Sequence, residues 1–251
     1  MIALVRSEAT KLFTTKAVWI LAIVAVLATW PMSMTNSVTP PNLPADSELL
    51  FSSAPIPLDY QGFEMAGFGY VLVVAIASLW AGSEYGGDGQ IRTTLLATPK
   101  RLRVFLVKIA LLAFVVAVTG FLTMTGALVI THAVGEAGIN PWALTPVIWA
   151  NIGGVVLAWT FTALIAFAVG TIARTAILPL ILISPLVIGV GDFLVGLWPG
   201  AKALPTTAGA SLYSDPATGL FLEPALGGLI QATWAAVLVA IAAVTFTRRD
   251  L

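Results

Sequence analysis

The chain has 251 residues, of which 59% are hydrophobic and only 10% charged. An ordinary soluble domain is about 25% charged, and one core of this length could not hide so much apolar surface from water, whereas lipid can solvate the outside of apolar helices. Twelve basic residues balance twelve acidic ones, there is no cysteine and His132 is the single histidine; nucleic acid as a partner, disulfides and thiolate, zinc or haem sites are thereby argued against, and no cofactor or metal is expected.

In chain order, residues 1–16 read as an amphipathic helix. Ile2, Val5, Ala9, Leu12 and Phe13 share one face at helical spacing, and Arg6, Ser7, Thr10, Lys11 and Thr14 occupy the other. Leu4 breaks this pattern. Such a helix lies in a membrane interface with its basic side toward lipid phosphates. It serves as a simple anchor, or as an elbow that docks a partner or steers the first span. The basic region is long for a secretory signal and no small-residue cleavage site follows, so the segment is expected to be retained.

Six stretches then have the roughly 20 mostly apolar residues that a spanning helix needs. They cover residues 17–35, 63–82, 104–131, 146–171, 176–198 and 224–247. Their apolar character is continuous rather than alternating, which selects helices over a barrel. The expected fold is therefore an all-α polytopic membrane protein, residues 1–251 forming one transmembrane domain. Residues 36–62, with Pro40, Pro41, Pro44, Pro55 and Pro57, form an external loop with room for a short interfacial helix near residues 49–52. Residues 200–223 form the other long external stretch. Pro179 and Pro185 imply a kink or break in the fifth span, which either lines a pathway or shapes packing. Gly67, Gly69, Gly120, Gly126, Gly153, Gly154, Gly189, Gly191, Gly227 and Gly228 allow backbones to approach, within the chain or across a dimer.

Charge placement gives the orientation. With the N terminus inside, Arg6, Lys11, Lys16, Arg92, Lys100, Arg101, Arg103, Lys108, Arg174, Arg248 and Arg249 fall on one side, and only Lys202 on the other. That is the sorting the positive-inside rule demands, and both termini are expected in the cytoplasm. Glu64 and Asp192 can reach the outer interface, and Lys108 is expected to snorkel to the inner one. A proton-coupled pump needs more buried acids or histidines than this.

Catalytic signatures are missing from the sequence. It has no G-x-x-x-x-G-K-[ST] phosphate loop. Gly189-x-Gly191 sits in an apolar run without the strand–turn–helix context of a dinucleotide site. His132, at the outer end of a span, is poorly placed for a hydrolytic triad. The chain is read as no enzyme in itself.

The loop between the second and third spans is the most informative segment. Gly86, Gly87 and Gly89 make a flexible turn. Residues 90–97 can then form about two helical turns with Ile91 and Leu95 on one face. Pro99 ends that helix, and Lys100, Arg101 and Arg103 hold the next span at the headgroups. A short helix with an apolar ridge suits a groove on a soluble partner, or is simply an interfacial loop.

Glu84-Tyr85, then Gly89 and Ile91-Arg92-Thr93-Thr94-Leu95-Leu96-Ala97-Thr98-Pro99 with Arg101, resemble the corresponding loop of the type-2 ABC-transporter permeases, an exporter-like family. Arg6, Glu8, Lys11 and Leu12 are similar to that family's opening R-x-E-x-x-K-L. The resemblance implies six spans, an N-terminal elbow helix carrying Arg6, Glu8, Lys11 and Leu12, and a cytoplasmic coupling helix between spans two and three. It also implies that Glu84, Gln90, Ile91, Arg92, Thr94, Leu95 and Thr98 contact a separate ATP-binding subunit. Gly86-Gly87-Asp88 departs from the basic or His-containing stretch of many relatives, and Gln90 replaces a common threonine. The implied partners are ABC ATPase subunits, a second permease copy or sister permease, and membrane lipid. The implied function is ATP-driven export of an amphipathic or hydrophobic cargo such as a drug, peptide antibiotic or lipid. A secondary transporter or channel, or a non-transporting scaffold or sensor, is the competing reading.

Overall fold

A computed structural model describes residues 2–37, 57–83, 85, 100–134 and 140–248. Among these residues the secondary structure is helical, with turns and no strand. A continuously apolar segment in lipid has no water to satisfy its peptide groups, and the helix satisfies them internally. The main helices are α1 (Ile2–Thr14), α2 (Lys16–Ser37), α3 (Ala66–Gly82), α4 (Arg101–Val134) and α5 (Pro146–Ala173). They continue with α6 (Ile177–Pro185), α7 (Gly191–Leu197), α8 (Pro205–Ala210) and α9 (Pro224–Arg248).

Among the described residues, five segments are long and apolar enough to cross a membrane: α2, α4, α5, the run from Ile177 to Leu197, and α9. The expected second span is shorter than its apolar run. Its first residues, Phe63–Met65, form a 3-10 turn, and the α-helix that follows has 17 residues. The N-terminal helix is present as α1. The expected interfacial helix near residues 49–52 lies outside the described residues.

Helix α5 is the most enclosed of the long segments and packs against α3, α4, α8 and α9. Its start is well specified: Thr145 accepts a hydrogen bond from the Ile148 N–H and Pro146 takes the first helical position. Phe105 of α4 lies between Phe167 of α5 and Phe246 of α9, at centroid distances of 6.0 and 5.6 Å. Large apolar side chains such as Ile20, Phe114, Leu229 and Val237 point outward, as expected of helices solvated by lipid.

The fifth span is broken, and the details refine the expectation. Pro179 falls in the first turn of α6, where a missing N–H costs nothing. The break follows Pro185: residues Leu186–Val190 widen into a π-helical turn, and Gly189 adopts φ 127°, a conformation that only glycine takes readily. The helix resumes as α7.

The long stretch 200–223 contains helical structure of its own. Pro199–Ala203 forms a 3-10 turn, and α8 packs against α5 and α9 with Thr206, Thr207, Ala208 and Gly209 buried. The segment's short apolar stretches are too brief for a periodicity argument, so only packing reveals them.

Most of the glycines noted above are close-packing sites. The Trp159 ring lies against both Gly69 and Gly120, Trp30 lies against Gly126, and the Leu212 carbonyl lies against Gly154. Gly67, Gly153 and Gly189 are the exceptions, with nothing within 4 Å of an added Cβ. Gly154→Val should therefore push α5 from the Leu212 turn and cost about 1–3 kcal/mol. Gly153→Val should stay within about 0.5 kcal/mol. Thermal unfolding in detergent checks this pair, and equal losses would refute the packing account.

Candidate functional site

The sequence points to two clusters: the loop between the second and third spans, and the N-terminal helix. Glu84, Gln90, Ile91, Arg92, Thr94, Leu95 and Thr98 all lie outside the described residues. Their flanks are described: Ser83 follows α3, and Lys100 precedes α4.

The N-terminal residues are described and sort differently from the expected faces. Leu4, Glu8 and Leu12, four residues apart, form the stripe that meets the bundle. Leu4, out of place in the sequence pattern, belongs to this stripe. Ile2, Val5 and Phe13 point away from it, and Arg6 is exposed. Phe13 stacks on Trp19 of α2 at 5.4 Å, and the Trp19 indole N–H donates to the Phe13 carbonyl at 3.0 Å. These two contacts fix the angle between α1 and α2.

At the centre of this contact is a buried charge cluster. Lys108 of α4 does not snorkel to the interface as expected. Its side chain is 1% exposed and donates to Glu8 Oε2 at 2.5 Å, and Glu8 is fully buried. The second Glu8 oxygen, Oε1, accepts from Lys11 at 2.9 Å. The Lys108 ammonium also lies 4.7 Å from the ring centroid of Trp80, in the last turn of α3. Both lysines have interactions beyond these. A carboxylate laid directly across α4 offers the ammonium a nearer partner than the headgroups do, and the snorkelling argument assumed no such partner. Burial pushes the Glu8 carboxyl up, but the charge and hydrogen bond of Lys108, then those of Lys11, outweigh it and hold the pKa below the ordinary value.

The same end of the bundle gathers further contacts. An Arg101 Nη1–H at the start of α4 donates to the Thr247 carbonyl at the end of α9, 3.5 Å away, where a helix presents unpaired carbonyls. Arg174, in the left-handed conformation that ends α5, lies 6.0 Å from the Tyr85 ring. At the opposite end, the Thr145 hydroxyl donates to Asp59 Oδ1 at 2.7 Å and the Asn151 amide donates to the Asp59 carbonyl at 3.1 Å. His132 is buried at that end of α4, and its ring nitrogens have no hydrogen-bond partner among the described residues. Asp192 sits exposed in the first turn of α7, and the Glu64 side chain lies outside the described residues.

Between the two ends, a polar cluster joins α3, α5 and α9. The Tyr70 hydroxyl is 2.6 Å from the Thr162 hydroxyl. The Gln231 amide donates to the Ala158 carbonyl at 2.9 Å and to Thr162 Oγ1 at 3.0 Å. Such bonds act as glue between helices in lipid. Nothing in the residue types marked this trio, because its members are 69 or more residues apart. Among the described residues, no group of three or more His, Asp or Glu side chains could hold a metal ion.

The sequence model of the family described as "ABC-2 family transporter protein" matches residues 4–191, three quarters of the chain. No curated protein and no solved structure was found to match.

The Glu8 cluster has a pH signature. A carboxyl whose folded pKa is depressed contributes stability that is present above its unfolded value, ordinarily 4.5, and lost as pH falls through the folded value. Lys108→Met removes the strongest opposing charge and moves the Glu8 pKa upward. Raising the folded value narrows the interval below the unfolded value over which this stability is lost, so unfolding temperature followed against pH should show a smaller acid-side fall in the variant than in the native protein. Coincident curves would refute the assignment.

Proposed function

This chain belongs to the ABC-2 transporter family, as a multi-pass membrane permease component of an ABC transporter, and from that premise we propose that it is the permease subunit of an ATP-driven exporter. In this reading a separate ATP-binding subunit supplies the hydrolysis. The sequence agrees, since it carries no phosphate-binding loop. Two permeases, either two copies of this chain or this chain with a sister, pair in the cell membrane and bind two ATPases. ATP-driven closure of the ATPases then moves the permeases between inward- and outward-facing states. An amphipathic or hydrophobic cargo is the class proposed.

The observation that carries the proposal is the segment 84–101, with its Ile91 and Leu95 ridge closed by Pro99 and basic residues. Its placement is supported by the contacts at one end of the bundle. The start of α4 touches Glu8 of α1 and Thr247 at the end of α9, so both ends of the described chain lie on the side where 84–99 begins and ends. An even number of crossings satisfies this, with α3 as the sixth span. The basic residues gathered on that side favour the cytoplasm.

Secondary transport remains the competing reading, and the buried groups favour it less. The acidic, basic and imidazole side chains buried among the described residues are Glu8, Lys108 and His132. Glu8 and Lys108 neutralise one another rather than forming a relay through the membrane.

Replacing both Ile91 and Leu95 with Asp places charge on the docking ridge, where burial against a partner is costly. The variant should insert normally yet lose the ATPase that copurifies with the native permease after gentle detergent extraction. Retained ATPase in the purified variant would place the docking surface elsewhere.

A further inference from the structure

Lys108 lies seven residues into α4, about 10 Å along the axis at 1.5 Å per residue. A lysine stem at that depth can reach toward headgroups. This one turns inward to a carboxylate on another helix. Burying two charges is expensive, and an apolar pair of similar volume would hold α1 on the bundle equally well. What an ion pair adds over an apolar contact is direction: it is satisfied in one register and penalised in others. Both Glu8 oxygens are engaged, Oε2 by Lys108 and Oε1 by Lys11, so the carboxylate has little freedom to turn. The ammonium meets Trp80 on its other side. Leu12 of α1 and Val18 of α2 are buried as well.

The location is specific. Trp80 is two residues from the end of α3, and Lys108 lies just past the second turn of α4. These are the helix ends that bracket residues 84–99. We propose that Glu8 and Lys108, with Trp80 against the ammonium, are positioning residues that clamp α1 across the facing ends of α3 and α4 and set the spacing between those two ends. The consequence for partner docking rests on the exporter reading above; the spacing itself does not. In that reading α1 is a brace for the coupling segment as well as an anchor.

The chain has no cysteine, so a pair of spin labels can be introduced without removing any. Ser83 and Lys100 are exposed at the two helix ends. The pair S83C/K100C, reconstituted as the full chain in lipid nanodiscs, reports their distance by pulsed electron spin resonance. The native background should give one narrow distribution. Glu8→Gln and Lys108→Met should each broaden or shift it, and the charge-swapped double variant E8K/K108E should restore it. The apolar double variant E8L/K108M separates positioning from plain stability: it should keep the native unfolding temperature yet show the broad distribution. Its affinity for the ATPase subunit should fall about tenfold, within the usual range for coupled sites.

A native-like distribution in the two single variants, or in E8L/K108M, overturns the proposal. A swapped variant that inserts but stays broad does so too. If the single variants are too unstable to purify, the swapped variant decides alone, narrow in favour and broad against. Failure of the native chain to capture any ATPase would strike the exporter reading, and the distance measurement would still judge the clamp.

Discussion

Lipid offers a peptide group no hydrogen-bond partner, and nearly every feature of this structure follows from that. Each crossing must satisfy its own backbone, so the long apolar runs are helices. Where the chain departs from regular α-helix, neighbouring protein covers it in part, and Ile188 and Val190 of the widened turn stay exposed. The widened turn Leu186–Val190 adjoins α3 and α8, and Gly191 rests against the Thr207 side chain. The short α8 is enclosed by α5 and α9. Irregular backbone at membrane depth is tolerated where protein covers it.

The same constraint governs side chains. With no hydrophobic drive between helices in lipid, association depends on close packing and on polar contacts. The two devices meet at Trp159. Its ring fills the space left by Gly69 and Gly120, and it stacks on Tyr70 at 5.7 Å, whose hydroxyl is bonded to Thr162. Gln231 brings α9 to the same point. Helix α5 is therefore the axis around which α3, α4 and α9 are arranged, and the broken fifth span lies at the periphery, the least enclosed of the long segments.

Charge is treated in the opposite way at the two ends of the bundle. At the α1 end, Glu8 and Lys108 are withdrawn from solvent and paired, while Arg101 and Arg174 end on a carbonyl and a ring. At the far end, Asp59 is held by Thr145 and Asn151 close to the start of α5. The α1 end thus couples helices far apart in sequence through the Glu8–Lys108 pair, and it is the end where the described chain stops after Ser83 and resumes at Lys100.

Composition and run length by themselves determined that this is a helical membrane protein, because apolar length against bilayer thickness is a local property of the sequence. The spans over 104–131, 146–171 and 224–247 differ from α4, α5 and α9 by no more than three residues at either end. The family was legible from two short motifs, and the match over residues 4–191 agrees with it. Tertiary structure decided the rest. That Leu4 belongs to the packing stripe of α1, that residues 200–223 fold against α5 and α9, and that Lys108 turns inward were all hidden, because each depends on a partner distant in sequence. Glu8 and Lys108 are 100 residues apart. Hydropathy reads the cost of a charge in lipid, but only the packed fold reveals which opposite charge stands beside it.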